Sequence, residues 1–131
     1  PNINKVIKKE KEKLLIFGNN WPTKDGTCIR DFIHVMDLAE AHVAALDYLY
    51  MNEPNILTLN IGTGKGTSIL EIINTFKQIG AQIPYLIVDE RSGDKPFVVA
   101  DNRLALKLLN WSPKRKLIDM CKDSLNNLLG K

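Results

Sequence analysis

Cysteine is scarce in this chain: Cys28 and Cys121 lie far apart and form no C-x-x-C pair. That excludes a disulfide framework and a thioredoxin-type motif, and fits a reduced, cytoplasmic protein. Long apolar runs are missing too. None approaches the ~20 residues needed to cross a bilayer, so no membrane association is expected. Histidine is limited to His34 and His42. Neither has a third ligand at suitable spacing, so no metal site is expected. The opening Pro1-Asn2-Ile3-Asn4 runs into a charged stretch and does not read as a secretory leader. A start on Pro rather than Met points to a processed chain or one cut from a longer protein.

Strong charge is also absent. The formal net charge is +3, and only 7% of residues are aromatic. Lys8 to Lys13 alternates in sign opposite Ile3, Val6, Ile7 and Leu14, the pattern of a solvated helix face. Lys114-Arg115-Lys116 reads as a basic turn before a last helix. No basic surface is interleaved with stacking aromatics, so no nucleic-acid partner is expected.

What is present suits one globular domain over residues 1–131, with 44% hydrophobic content and neither repeat nor low-complexity linker. A first helix is expected to end near Lys13, followed by a strand Leu14-Leu15-Ile16-Phe17. The turn-forming stretch from Gly18 to Gly26 predicts a surface loop, and residues 28–35 predict a strand. Asp37 and Glu40 form a D-x-x-E variant of the capping box, with Leu38, Ala41, Ala45, Leu46 and Leu49 on one face of the helix behind it. Residues 56–61 predict a buried strand. Ser68 and Glu71 make a second capping box, and Ile69, Ile72, Ile73, Phe76 and Ile79 keep helical spacing until Gly80. A strand at residues 85–88 and helices near 102–109 and 117–129 complete a mixed α/β order, with short strands and about five helices.

Much catalytic machinery is missing. No strand leads into G-x-x-G-x-x-G or G-x-G-x-x-G, so no dinucleotide site is read. Gly62-Thr63-Gly64-Lys65-Gly66 lies between a strand and a helix, but its spacing fits neither that fingerprint nor the P-loop. A tight turn accounts for it better than a phosphate cradle. No Tyr has a Lys four residues on: Tyr48 meets Asn52, Tyr50 meets Pro54 and Tyr85 meets Asp89. No Ser/His/Asp or Cys/His set stands out. Alone, the chain carries no recognisable catalytic residues.

Binding chemistry remains. Alternation along the strand at 28–35 places Arg30, Phe32 and His34 on one side and Ile29, Ile33 and Val35 on the core side. A guanidinium beside a ring suits a nucleoside diphosphate, whereas a surface ion pair of Arg30 with Asp31 or another acid is the plainer reading. Arg91 could take a phosphate while Asp94 accepts from sugar hydroxyls, with Gly93 allowing a tight turn between the strand at 85–88 and Asp101. Equally, E-R-S-G-D is an ordinary charged turn.

The stretch from Ile16 to His42, with R-D-F-I-H-V-M-D-L-A inside it, closely resembles a signature of UDP-glucose 4-epimerases. These are nicotinamide-dependent enzymes of the extended short-chain dehydrogenase type. N-I-G-T-G-K-G-T-S, R-S-G-D and N-W-S-P extend the likeness from Leu14 to Leu125. The core motif alone is shared with dehydratases and decarboxylases. The loop P-T-K-D-G-T before it and H-V-A-A-L after it narrow the match to the epimerases.

The resemblance implies the C-terminal, substrate-binding part of a Rossmann-type enzyme, without its N-terminal dinucleotide-binding domain. It implies NAD bound by the intact enzyme but none by this piece. It also implies UDP-glucose and UDP-galactose as ligands, an isomerase of galactose metabolism working through a 4-keto intermediate, and a homodimer when intact. The catalytic Tyr-x-x-x-Lys of such enzymes would lie outside this chain, leaving this part inactive by itself. By the same resemblance, Arg30 and Arg91 contact the diphosphate, Phe32 lies close by, and Asp94 contacts the uridine ribose. Leu15 and Phe17 flank the uracil, and Ile69 forms a further wall. Phe32 stands where Tyr is common, so the ring packing is kept and the hydroxyl is lost. The alternatives are a free-standing sugar-nucleotide binding module and a piece of another NAD-dependent nucleotide-sugar dehydratase or decarboxylase.

Overall fold

The computed structural model describes residues 2–130. Ten elements follow in order: α1 (Asn2–Ile7), β1 (Leu14–Phe17), β2 (Ile29–Asp31), α2 (Val35–Met51), β3 (Gly66–Ser68), α3 (Ile69–Gln78), β4 (Tyr85–Val88), β5 (Phe97–Val98), α4 (Arg103–Leu109) and α5 (Leu117–Leu129). β1 pairs in parallel with β4, Leu14 opposite Tyr85 and Phe17 opposite Val88. β2 is the middle strand of a second sheet, antiparallel to β3 and parallel to β5. The fold is α/β with short strands and five helices, as the patterning predicts.

The main core joins α1, β1, α3 and α5. Ile72, Ile73 and Phe76 of α3 recur at helical spacing and pack with Val6, Leu14, Ile16, Ile83 and Cys121. Each such side chain contributes roughly 1.5–3 kcal/mol on burial. α3 starts where the sequence says it should. The Ser68 hydroxyl accepts from Glu71 N at 3.1 Å, and the Glu71 carboxylate accepts from Ser68 N at 3.0 Å. Its end is a Schellman closure: Ala81 N donates to Phe76 O and Gly80 N to Lys77 O, with Gly80 at φ +87. A smaller core gathers Ala41, Leu109 and Trp111, with Ile33, Ala44, Ala45 and Tyr48 against them.

Several expectations are corrected. α1 ends at Ile7 rather than near Lys13, because it too closes in a Schellman motif. Glu10 N donates to Lys5 O and Lys9 N to Val6 O, with Lys9 at φ +60. Lys8 to Lys13 is therefore an exposed turn, not a helix face. The strand expected over 28–35 is only Ile29–Asp31, and Val35 is exposed rather than core-facing. His34, not Asp37, caps α2: its Nδ1 accepts from Met36 N at 3.1 Å. Asp37 lies inside α2, fully buried, where it accepts from Arg115 N at 3.0 Å and from the Arg115 guanidinium at 2.5 Å. Glu40 takes Arg115 at 2.9 Å and Lys114 at 3.0 Å, so two of the three basic side chains of this turn are paired with α2.

Residues 56–61 form no strand, and Ile56 is 98% exposed. A strand needs a ladder partner, and among the described residues no strand pairs with this segment. Leu46 and Leu49, expected on the packed face of α2, are also exposed, together with Val43, Tyr50 and Met51.

Candidate functional site

A cavity of about 310 Å³ opens between β1, β2, the start of α3 and the turn after β4. Leu15, Phe17, Arg30, Phe32, Ile69, Arg91 and Asp94 all line it. β1 supplies the apolar floor, with Leu15 and Phe17 two residues apart on one side of the strand. Arg30 comes from β2, and Phe32 from the segment just beyond it. Ile69 is the first residue of α3, placed by the Ser68 cap. His34 does not join them. The strand ends at Asp31 and a helix follows, so alternation no longer applies.

Residues missed from the sequence also line the cavity: Asn2, Ile3, Leu14, Ile16, Cys28 and Ile72. Cys28 was legible, since it lies two residues before Arg30 and alternation puts both on one side. The α1 residues had no such signal. They arrive through tertiary packing of α1 on the main core.

One wall is charged. Arg30 Nη1 donates to Ile29 O and Lys95 O, each at 2.8 Å, which fixes the guanidinium plane. Its Nη2 lies 4.0 Å from Asp94 Oδ1. Arg91 grips the same carboxylate through Nε at 3.0 Å and Nη2 at 3.4 Å. The Arg91 guanidinium carbon sits 4.1 Å above the Phe17 ring centroid, a cation–π stack that joins the charged wall to the apolar floor. Of the plainer reading, the ion pair of Arg30 is present, but with Asp94 rather than with Asp31.

Asp31 has another task. Its carboxylate accepts from Thr63 N and Gly64 N, each at 2.9 Å, from the Thr63 hydroxyl at 2.5 Å, and from Ala100 N at 3.3 Å. Two amides of the glycine-rich turn are thus spent on an internal carboxylate, and a third, Lys65 N, on the Thr63 hydroxyl oxygen. A Cβ at Gly62 would come 2.6 Å from both Ala100 Cβ and Asp31 Oδ2, so this turn needs glycine for close packing. The turn reading holds over the phosphate cradle, and these residues do not fit a dinucleotide.

Asp25 pins the 18–26 loop beside the cavity. It accepts from Thr27 N at 3.0 Å and the Thr27 hydroxyl at 2.8 Å, and also from the Ser68 hydroxyl that caps α3. Burial pushes its carboxyl up, but the bonds from Ser68 and Thr27 hold it below its ordinary range. His34 Nε2 meets Asp123 at 3.0 Å, tying α2 to α5 away from the cavity. Burial pushes the Cys121 thiol up to about 11, so it is unreactive at neutral pH. Among the described residues no cluster could hold a metal ion, and no helix is long and apolar enough to cross a membrane.

The fold matches one portion of solved nucleotide-sugar epimerases. Residues 1–62 match the NAD dependent epimerase/dehydratase family. Within that class the chain is homologous, over nearly its whole length, to one portion of the UDP-glucose 4-epimerases. It is 44% identical to the enzyme of Bacillus subtilis (strain 168) over 125 residues, covering 95% of this chain and 37% of that protein. The solved UDP-glucose 4-epimerase of Stenotrophomonas maltophila, holding NAD and formylated UDP-arabinopyranose, superposes with a TM-score of 0.93 at 41% identity, over 99% of this chain and 39% of its own. That of Bifidobacterium longum, in complex with NAD+ and UDP, gives 0.89 at 37% identity, over 98% and 38%. The chain thus spans well under half the length of these relatives.

Proposed function

We propose that this chain is the UDP-binding part of an NAD-dependent UDP-glucose 4-epimerase, and that the cavity holds the UDP moiety of UDP-glucose or UDP-galactose. One observation carries the reading: two arginines and one carboxylate converge at the end of an apolar slot about as large as a small ligand needs. Arg30 and Arg91 take the diphosphate, Asp94 takes the ribose hydroxyls, and Leu15, Phe17 and Ile69 flank the uracil. Phe32 packs beside the phosphates through its ring. Nothing in this set grips the hexose, which suits a reaction whose sugar must present both faces at C4. Remote binding energy from the nucleotide then holds the reacting end in place.

NAD belongs to the remainder of the intact enzyme on this reading, which the closure of the glycine-rich 62–66 turn by Asp31 supports. The exposed apolar strip of α2 and residues 56–57 supports a companion dinucleotide-binding domain that covers it. The intact enzyme is cytoplasmic and a homodimer on this reading. Among the described residues no group is placed to move the proton of the C4 hydroxyl, and the isolated chain is inactive on this reading. Calorimetric titration with UDP and with UDP-glucose is the test. Similar affinities are expected, with no interconversion of UDP-glucose and UDP-galactose. UDP-glucose binding far tighter than UDP, or turnover by the chain alone, would overturn the proposal.

A further inference from the structure

Two guanidinium groups from different elements meet at a single carboxylate inside the cavity. Arg91 spends Nε and Nη2 on Asp94, and Arg30, whose Nη1 is committed to Ile29 O and Lys95 O, aims Nη2 at the same group from 4.0 Å. The Asp94 side chain is only 21% exposed, and Phe17 stacks on Arg91 from behind. A phosphate that recruits these arginines must displace the carboxylate. Asp94 is then left in part-buried surroundings without either cation. That cost is severe unless the ligand itself offers donors to the carboxylate.

We infer that Asp94 is a specificity-determining residue that screens the arginines from simple anions and releases them only to a ligand carrying a vicinal diol beside its diphosphate. The class admitted is a ribonucleoside diphosphate. Inorganic pyrophosphate, and nucleotides lacking ribose hydroxyls, are disfavoured because they take the arginines and leave Asp94 unpartnered. The inference rests on the reading of the cavity as a nucleoside diphosphate site and adds to it a reason for rejecting free anions.

The test is calorimetric titration of the full chain with pyrophosphate, UDP and 2′,3′-dideoxy-UDP at one fixed ionic strength. Wild type is compared with Asp94→Asn, Asp94→Ser and, as a charge-matched control outside the cavity, Asp101→Asn. Melting curves establish that each variant folds, and Asp94→Ser serves if Asp94→Asn does not. Expected is a gain of about tenfold for pyrophosphate and for dideoxy-UDP in the Asp94 variants, the size of one charge-assisted hydrogen bond. UDP itself gains nothing or weakens, and the Asp101 control moves none of the three. A uniform gain for all ligands means plain charge removal and overturns the inference. So does pyrophosphate binding that is unchanged, or undetectable in every variant. A gain for pyrophosphate without any UDP binding would instead sink the uridine reading and leave the screening role of Asp94 in place.

Discussion

Arg91 lies over the Phe17 ring at 4.1 Å, so the turn after β4 is clamped to the last residue of β1. The stack sets where the guanidinium can reach, and a cation–π contact at an exposed site is worth about 0.5–1 kcal/mol. Phe17→Leu is expected to weaken UDP binding by about threefold to tenfold, counting lost base contact as well, while Phe17→Tyr keeps it. Calorimetry on both variants checks this, and equal binding by Phe17→Leu would remove the ring from the site.

The buried Asp37 with Arg115 gives a pH-dependent prediction. Burial pushes the Asp37 carboxyl up, and the backbone N–H and guanidinium of Arg115 more than offset it, so its folded-state pKa lies below the ordinary value. Its contribution is then complete above about pH 3.9 and is lost as pH falls through the lowered value. Arg115→Met should destabilise the chain by about 2–4 kcal/mol at pH 7, because it strands a buried charge. The gap between variant and wild type should narrow as pH drops toward 3. Urea melts at a series of pH values would show a gap independent of pH if the pair is not the cause.

Lys9 occupies the left-handed position where Gly80 serves the equivalent closure of α3. Lys9→Gly should stabilise the chain by about 1 kcal/mol, offset in part by the greater freedom of glycine when unfolded. Lys9→Val should destabilise it. Thermal melts decide, and a destabilising Lys9→Gly would contradict the motif.

Val43, Leu46, Leu49, Tyr50 and Met51 leave α2 with an uncovered apolar face, continued by Ile56 and Leu57. The isolated chain should bind a hydrophobic dye and self-associate with rising concentration. Leu46→Gln combined with Leu49→Gln should reduce both while changing stability by less than about 1 kcal/mol, since both side chains are already half exposed. Unchanged dye binding would mean that the strip is not the sticky surface.

Local signals in the sequence were read correctly where the structure is locally determined. The Ser68 and Glu71 box, the isoleucine stripe of α3 and the last two helices depend on neighbours within a few residues, while β1 and β4, far apart in the chain, carry strand patterning and find each other as partners. Sequence and structure part where a distant partner decides. Asp37 resembles a cap until Arg115, 78 positions along, claims it. Residues 56–61 have strand chemistry but no ladder partner among the described residues. α1 stops early because a lysine takes a conformation that glycine usually marks. For the cavity, strand alternation linked Arg30 with Phe32 and could have added Cys28. Arg91 and Asp94 sit some sixty positions further on, and only the family signature tied them to Arg30.

The most direct measurement is a nuclear magnetic resonance titration of the labelled chain with UDP, read residue by residue. The account predicts saturable shifts confined to the cavity, at Leu15, Phe17, Arg30, Phe32, Ile69, Arg91 and Asp94, with the 62–66 turn unmoved. Shifts centred on Gly62 to Gly66, or none at saturating UDP, would contradict it.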